Sequence, residues 1–237
     1  MWEAVSHKGQ RPYQEDRCLA IPGKVGIFAI FDGHRGSQGS GDSIETLLTG
    51  ALSAAIADIE AELLNESERG GFVAGSTACV AAISGETVVV MNLGDSRAII
   101  CGVEAGDCVR LTRDHQPYWE DERKRIEAAG GVIHSNGRLF GEFEVSRAIG
   151  DRDLKKFGMS AVPEFTVYHL QRQRPSPLYL LVGSDGVFEK LRFQGVCETV
   201  VELLRNGEES GIASRVITKA LVAGTSDNLT LVVAKLV

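Results

Sequence analysis

Four short acidic stretches hold the side chains best suited to chemistry: Arg11-Pro12-Tyr13-Gln14-Glu15-Asp16, Asp32-Gly33-His34, Ser184-Asp185-Gly186 and Ser226-Asp227-Asn228. Three of them border an apolar run that reads as a buried strand. Residues 25–31 lead into Asp32, residues 178–182 lead towards Asp185, and Asp227-Asn228 opens onto residues 229–233. A carboxylate at the end of a core strand is poorly solvated and well placed to aim inward. If several such ends meet, their charges repel strongly at low effective dielectric unless cations offset them. Divalent cations held by oxygen ligands are the natural answer. The pattern predicts a metal centre.

The other chemistries of comparable weight are missing from the sequence. The five cysteines, Cys18, Cys79, Cys101, Cys108 and Cys197, are odd in number, widely spaced and mostly set in apolar segments. They read as free buried thiols of a reducing compartment, and no pair has zinc-knuckle spacing. No cysteine has an arginine six positions on, and no Asp-x-Asp-x-Thr follows a strand. Those absences set aside cysteine-dependent and haloacid-dehalogenase-like phosphatases. There is no Gly-x-x-x-x-Gly-Lys loop and no Gly-x-Gly-x-x-Gly turn.

The elements that must position the acidic stretches follow from periodicity. A helix is predicted from Asp42, capped by Asp42 or Ser43, with Ile44, Leu47, Leu48, Leu52, Ile56, Ile59 and Leu63 on one face. Three strands are predicted over 76–83, 87–93 and 97–101. The breaks Ser84-Gly85-Glu86 and Gly94-Asp95-Ser96 are short enough for antiparallel hairpins. Residues 119–129 read as a charged helix stopped by Gly130-Gly131, residues 196–204 and 212–221 as an amphipathic pair, and residues 229–235 as a closing strand. Residues 35–41, rich in Gly and Ser, read equally as a surface loop, an introduced linker or the stub of a longer loop. The expected class is α+β, with two mainly antiparallel sheets face to face and helices outside. One domain is expected over residues 1–237.

Composition sets outer limits. The chain has 237 residues, is 43% hydrophobic and 24% charged, and carries a formal charge of −7. That charge disfavours general nucleic-acid binding or a basic membrane surface. No apolar run reaches the length of a membrane span, and no signal-peptide pattern opens the chain. Met1 runs almost directly into the first motif, as the start of an excised domain would.

Taken in order, the motifs resemble those of the protein phosphatase 2C family of metal-dependent serine/threonine phosphatases. They are Gly9-x-Arg11-x-x-x-Glu15-Asp16, Phe31-Asp32-Gly33-His34, Gly75-Ser76-Thr77-Ala78, Asn92-Leu93-Gly94-Asp95-Ser96-Arg97 and Asp114-His115-Gln116-Pro117. Val145-Ser146-Arg147-Ala148-Ile149-Gly150-Asp151, Pro163-Glu164, Gly183-Ser184-Asp185-Gly186-Val187-Phe188 and Ser226-Asp227-Asn228 complete the series. Each is weak alone, and nine in the family's order are specific. The resemblance implies a four-layer α-β-β-α sandwich of two mainly antiparallel sheets flanked by helix pairs, with two manganese or magnesium ions per chain. It implies that Asp32 bridges both ions and that Glu15 and the Gly33 carbonyl bind the second. Asp16 would act through water, and Asp185 and Asp227 would bind the first. Asp95, Asp185 and Glu189 correspond to a third, weaker site.

The expected activity is hydrolysis of phosphoserine and phosphothreonine in proteins by a hydroxide bridging the two ions, without a phosphoenzyme. In this reading Arg11 grips the phosphate, and His34, beside Asp32, protonates the departing serine or threonine oxygen. Phosphoprotein substrates, no nucleic acid, no membrane span and a monomer are expected. The expected location is intracellular, in cytoplasm or nucleus, or in an organelle if a targeting segment has been removed. Structural readings stand beside these. His7, His115, His134 and His169 read as structural, as do Ser76-Thr77 and Ser146-Arg147, while Asp95 and Asp114 read equally as turn residues and site residues. Three departures mark this sequence: Arg35 where the family has a small residue, Glu189 where many members have Asp, and short segments over 35–41 and 151–162. The alternative of another class is an inactive phosphatase-fold protein that binds phosphoproteins. It expects a replaced metal ligand or a replaced Arg11, and neither is seen.

Overall fold

The computed structural model describes residues 2–16, 25–27 (backbone only), 43–104, 106–171 and 173–236. Its centre is a pair of stacked sheets. The first has five strands in the order β1 (Trp2–His7), β11 (Leu229–Lys235), β10 (Tyr179–Gly183), β6 (Arg97–Cys101) and β7 (Val109–Arg110). The second has four, β2 (Val25–Ile27), β4 (Ala78–Ser84), β5 (Thr87–Leu93) and β9 (Glu164–His169). Every pairing in both is antiparallel. A small third sheet joins β3 (Gly75–Ser76) to β8 (Ile149–Gly150).

Strand alternation assigns each side chain to a layer. All seven residues of β5 are buried, so both of its faces must be covered. Val88 and Val90 point between the sheets, where they meet Ala98, Ile100, Leu178 and Leu180. Val89 and Met91 point the other way, against Leu52 and Ile56 of α1 (Ile44–Gly70). On the far side, Ile99, Leu181 and Val233 pack on Val196, Val200, Val216 and Ile217 of α4 (Asp185–Arg205) and α5 (Ile212–Val222). The layers are therefore helix, sheet, sheet, helix pair, as the resemblance implied. Among the described residues the second sheet carries the single helix α1. Ser43 caps α1 through its hydroxyl, which accepts from the Thr46 N–H at 3.3 Å. None of the described helices is long and apolar enough to cross a membrane.

Four sequence expectations need correction. The Gly94-Asp95-Ser96 break is not a hairpin, because β5 and β6 lie in different sheets and the break carries the chain from one to the other. Shortness selects a tight turn, but burial on both faces of β5 and β6 decides which strands become neighbours. The predicted strand over 76–83 is interrupted at Thr77, whose hydroxyl lies 2.9 Å from that of Ser96 and leaves the strand ladder. Helix α4 is broken at Arg192 (φ 56°): the predicted 196–204 lies in its second part, and the first part, from Asp185, was not expected. The predicted face of α1 is only part core: Leu52 and Ile56 are buried, whereas Ile44, Leu47 and Ile59 are exposed. Of the strand expected over 25–31, residues 25–27 are in β2 and the rest lie outside the described residues.

A satellite core of Ile126, Leu139, Ala148, Leu154 and Met159 sits under α3 (Arg152–Lys155) and beside α2 (Glu120–Ala128). Its polar hub is Glu122, 1% exposed. The Glu122 carboxylate accepts from Arg147 Nη2 at 2.6 Å, Arg125 Nη2 at 2.6 Å and Ser146 Oγ at 2.5 Å. Burial pushes its pKa up, and those hydrogen bonds outweigh burial and hold it down at about 2. The structural reading of Ser146 and Arg147 is the one their contacts support.

Candidate metal and active centre

The sheet-crossing turn places Asp95. Its neighbour Gly94 is clamped to His115 by two bonds: the Gly94 N–H donates to His115 Nδ1 at 2.9 Å, and the His115 N–H donates to the Gly94 carbonyl at 2.9 Å. His115 is fully buried and lies 3.3 Å from Glu164. This is a structural histidine, as expected. Asp114 is likewise occupied, by a two-point grip from Arg97 (3.0 and 2.7 Å) and by Arg110. Asp95 alone of these two aspartates stays in an acidic group.

The other carboxylates arrive through close backbone approaches. Loop 8–16, the start of α4 and the start of β11 converge on Asp227-Asn228. A Cβ at Gly9 would stand 1.8 Å from the Asp227 carbonyl oxygen, and one at Gly186 would stand 2.1 Å from that of Asn228. Only glycine permits either approach. Asn228 fastens the assembly. Its side-chain amide donates to the carbonyls of Lys8 and Tyr13 (2.8 Å each), and its oxygen accepts from the Glu15 N–H at 2.8 Å. Asp16 is held by the Ser184 hydroxyl at 2.7 Å. The Asp227 carboxylate accepts from Arg11 Nη2 at 2.7 Å and from the Asn228 N–H at 2.7 Å.

Carboxylate oxygens of Asp95, Glu144 and Asp185 lie within 4.8 Å of one another. Burial pushes the Asp95 pKa up to about 7, with Asp185 and Asp114 adding to the rise against Arg97. Burial also raises Asp185, aided by Asp227 and Asp16 and opposed by the Gly186 N–H and Arg11. Acids whose proton affinity is raised both by desolvation and by neighbouring carboxylates form a site short of positive charge. Oxygen-only donors of this kind fit a divalent magnesium- or manganese-like cation better than zinc, which favours nitrogen or sulfur. Beside the group, a cavity of about 720 Å³ between the sheets is lined by Glu15, Asp16, Gly75, Thr77, Ser96 and Ser184, among others.

The structure thus brings Asp185 near Asp227, Asp16, Arg11 and Asp95. The Glu15 side chain is exposed, with its backbone tied to Asn228. Asp32, Gly33, His34 and Arg35, as well as Cys18, lie outside the described residues. Glu189 does not join the acidic group. It is paired with Lys190 at 2.5 Å and accepts from the Thr225 hydroxyl at 2.5 Å. Glu144 stands with Asp95 and Asp185 instead. Sequence reasoning missed Glu144, whose one signal was its place just ahead of the Val145-Ser146-Arg147 stretch. It also named Asn228 without recognising it as the fastener of loop 8–16.

Comparison with known proteins agrees with this fold. A family model described as Protein phosphatase 2C matches residues 13–229. The chain is similar to "Probable protein phosphatase 2C 59" of Arabidopsis thaliana, 34% identical over 251 residues that cover 98% of this chain and 78% of that protein. It is 32% identical to "Probable protein phosphatase 2C 8" of the same plant, over 98% of this chain and 77% of that one. Among solved structures, a C. elegans sex determining protein superposes with a TM-score of 0.81 at 25% identity, covering 99% of this chain and 64% of that one. A serine-threonine phosphatase 2C from Toxoplasma gondii superposes with a TM-score of 0.80 at 23% identity, covering 99% and 94%. The last likeness is one of fold.

Proposed function

The chain belongs to the protein phosphatase 2C family, and from that membership we propose that it is a metal-dependent phosphatase of phosphoserine and phosphothreonine in proteins. The observation that carries the proposal is the convergence of buried Asp95 and half-buried Asp185 with Glu144, at the place where Asp16, Asp227 and Arg11 also meet. In this reading Glu15, Asp32, Asp185 and Asp227 hold two divalent cations, with the Gly33 carbonyl as a further ligand and Asp16 acting through water. A third, weaker site takes Asp95 and Asp185 with Glu144 or Glu189. Bound magnesium or manganese supplies charge neutralisation and a water acidified towards neutral pH as the nucleophile.

The chain's own groups do the rest. Arg11 leaves its contact with Asp227 and takes two oxygens of the incoming phosphoryl group, a geometry that suits a planar guanidinium. His34 gives its proton to the departing serine or threonine oxygen. Asn228 is one of the groups that hold loop 8–16 at the site, with the Ser226 carbonyl and the Ser184 hydroxyl, so it is a positioning residue for Arg11 and Glu15.

The test is phosphate release from a phosphothreonine peptide by the purified chain with manganese, with and without excess chelator. Release that depends on manganese is expected. His34→Ala should lower that rate by roughly 10²–10⁴ and lower it far less on p-nitrophenyl phosphate, whose leaving group departs without a proton. Full activity in excess chelator would sink the metal-dependent reading. Tight binding of the phosphopeptide without turnover would instead favour a phosphoprotein-binding role.

A further inference from the structure

A second cluster of metal-ligating side chains lies apart from the carboxylates. Cys101, Cys108 and Cys197 are 7 and 89 residues apart in sequence, yet their sulfurs all lie within 4.8 Å of one another. The Cys101 and Cys197 sulfurs are 3.6 Å apart. Alternation along β6 puts Cys101 on the same side as Ile99, against the helix layer, where Cys197 of α4 faces it. Cys108 comes from the turn between β6 and β7. That turn is held by buried Asp107, which accepts from the Glu104 N–H at 2.9 Å and pairs with Arg174. Cys101 and Cys197 are buried, and Cys108 is half-buried.

We propose that these three cysteines form a binding site for one thiophilic divalent cation of the zinc class, with a solvent ligand completing the fourth position on the Cys108 side. The spacing is the first argument. Zinc–sulfur bonds of about 2.3 Å in a tetrahedron put their sulfurs about 3.8 Å apart. The observed 3.6 Å is close to that edge. A disulfide between the same atoms needs about 2.0 Å, so β6 and α4 would have to close on each other within a packed core. The second argument is the place of Cys108. Its sulfur lies within 4.8 Å of both other sulfurs, and it is half-buried where they are buried, so the cluster is open to a solvent ligand on that side. The third is charge. Binding releases the thiol protons to solvent, and one divalent cation against three thiolates leaves a single negative charge at the half-open edge of the cluster. No oxidant enters the step.

The test uses the full chain, reduced and metal-free, titrated with cadmium as a spectroscopic stand-in for zinc. A thiolate-to-metal charge-transfer band should grow and saturate at one equivalent, and a chain loaded first with zinc should release one equivalent of zinc as the band grows. Cys197→Ser should abolish the band. Cys108→Ser should do the same, and because Cys108 is half-buried this variant leaves the core intact should Cys197→Ser fail to fold. Cys79→Ser and Asp185→Asn should both retain the band, since neither residue belongs to the cluster. A wild-type chain without the band, or a band that persists in Cys108→Ser, would overturn the proposal. So would a chain purified without air whose mass is lower by two hydrogens through a Cys101–Cys197 disulfide.

Discussion

Glu122 and Asp95 are both buried carboxylates, and their proton affinities move in opposite directions. Glu122 receives two guanidinium groups and a hydroxyl, and its pKa is held down at about 2. Asp95 faces Asp185 and Glu144, and its pKa is pushed up to about 7. Burial penalises the charge in both cases. The difference lies in what else the sequence brought to each place. At Glu122 the arginines of the same satellite core close the site electrically. At Asp95 a backbone N–H and the Arg97 guanidinium oppose the rise, and Arg97 already grips Asp114 with two bonds. A closed site stabilises the fold, whereas an open one waits for a cation from solution.

The comparison can be broken by mutation. Glu122→Gln removes the charge that Arg147 and Arg125 share, and Arg147 is only 13% exposed. Its expected cost is about 3–5 kcal/mol, the usual penalty for leaving a buried partner uncompensated. Urea unfolding at neutral pH measures it, and a loss below about 1 kcal/mol would mean that the hub behaves like a surface pair. Asp185→Asn should act on the other quantity. Turnover should fall by roughly 10²–10³, as when a group that stabilises transition-state charge is removed, while the metal-free chain becomes no less stable. Calorimetric titration with manganese should show weakened binding, and unchanged affinity would remove Asp185 from the site.

The smallest effect, in pH, sharpens the comparison most. Because the folded pKa of Glu122 lies below its unfolded value of about 4.3, its contribution is complete above that value and is lost as pH falls towards about 2. The folded pKa of Asp95 is raised, so in chelator its contribution is present below about 3.9 and is lost as pH rises through about 7. Metal-free stability should therefore decline on both flanks. Asp95→Asn should flatten only the neutral flank, with a gain of about 1–2 kcal/mol at pH 7 in chelator, and Glu122→Gln only the acid flank. Melting curves across pH check both, and a neutral flank that survives Asp95→Asn would assign it to another group.

Much of this was legible in the residues. The seven residues of β5 read as a buried strand because Val, Met and Leu have no polar face to offer, and the Ser84-Gly85-Glu86 turn gave the β4–β5 hairpin. The acidic motifs pointed to Arg11, Asp16, Asp185 and Asp227, which the structure brings near one another, whereas Asp32, Gly33 and His34 lie outside the described residues. What the sequence hid was partnership across layers. Gly94-Asp95-Ser96 has the length of a hairpin turn, and nothing local says that its flanking strands must part to different sheets. Glu144 has no motif of its own, and Glu189 stood where family pattern placed a ligand, yet Lys190 and Thr225 claim it. The cysteines looked inert because spacing along the chain was the criterion. Strand parity and the helix facing β6 are what bring three of them together.

The pairing of β1 with β11 sets Trp2 opposite Ala234 and His7 opposite Leu229, and that has a consequence in time. Contacts so far apart in sequence form late, because the entropy of closing the intervening loop must be met first. A chain made from its N-terminus carries Arg11, Glu15 and Asp16 through the synthesis of residues 17–226 before Asp227 and Asn228 exist to receive them. The β4–β5 hairpin can form earlier. Until β11 docks, the first sheet lacks an inner strand and loop 8–16 lacks Asp227-Asn228, so the acidic site is completed only at that step.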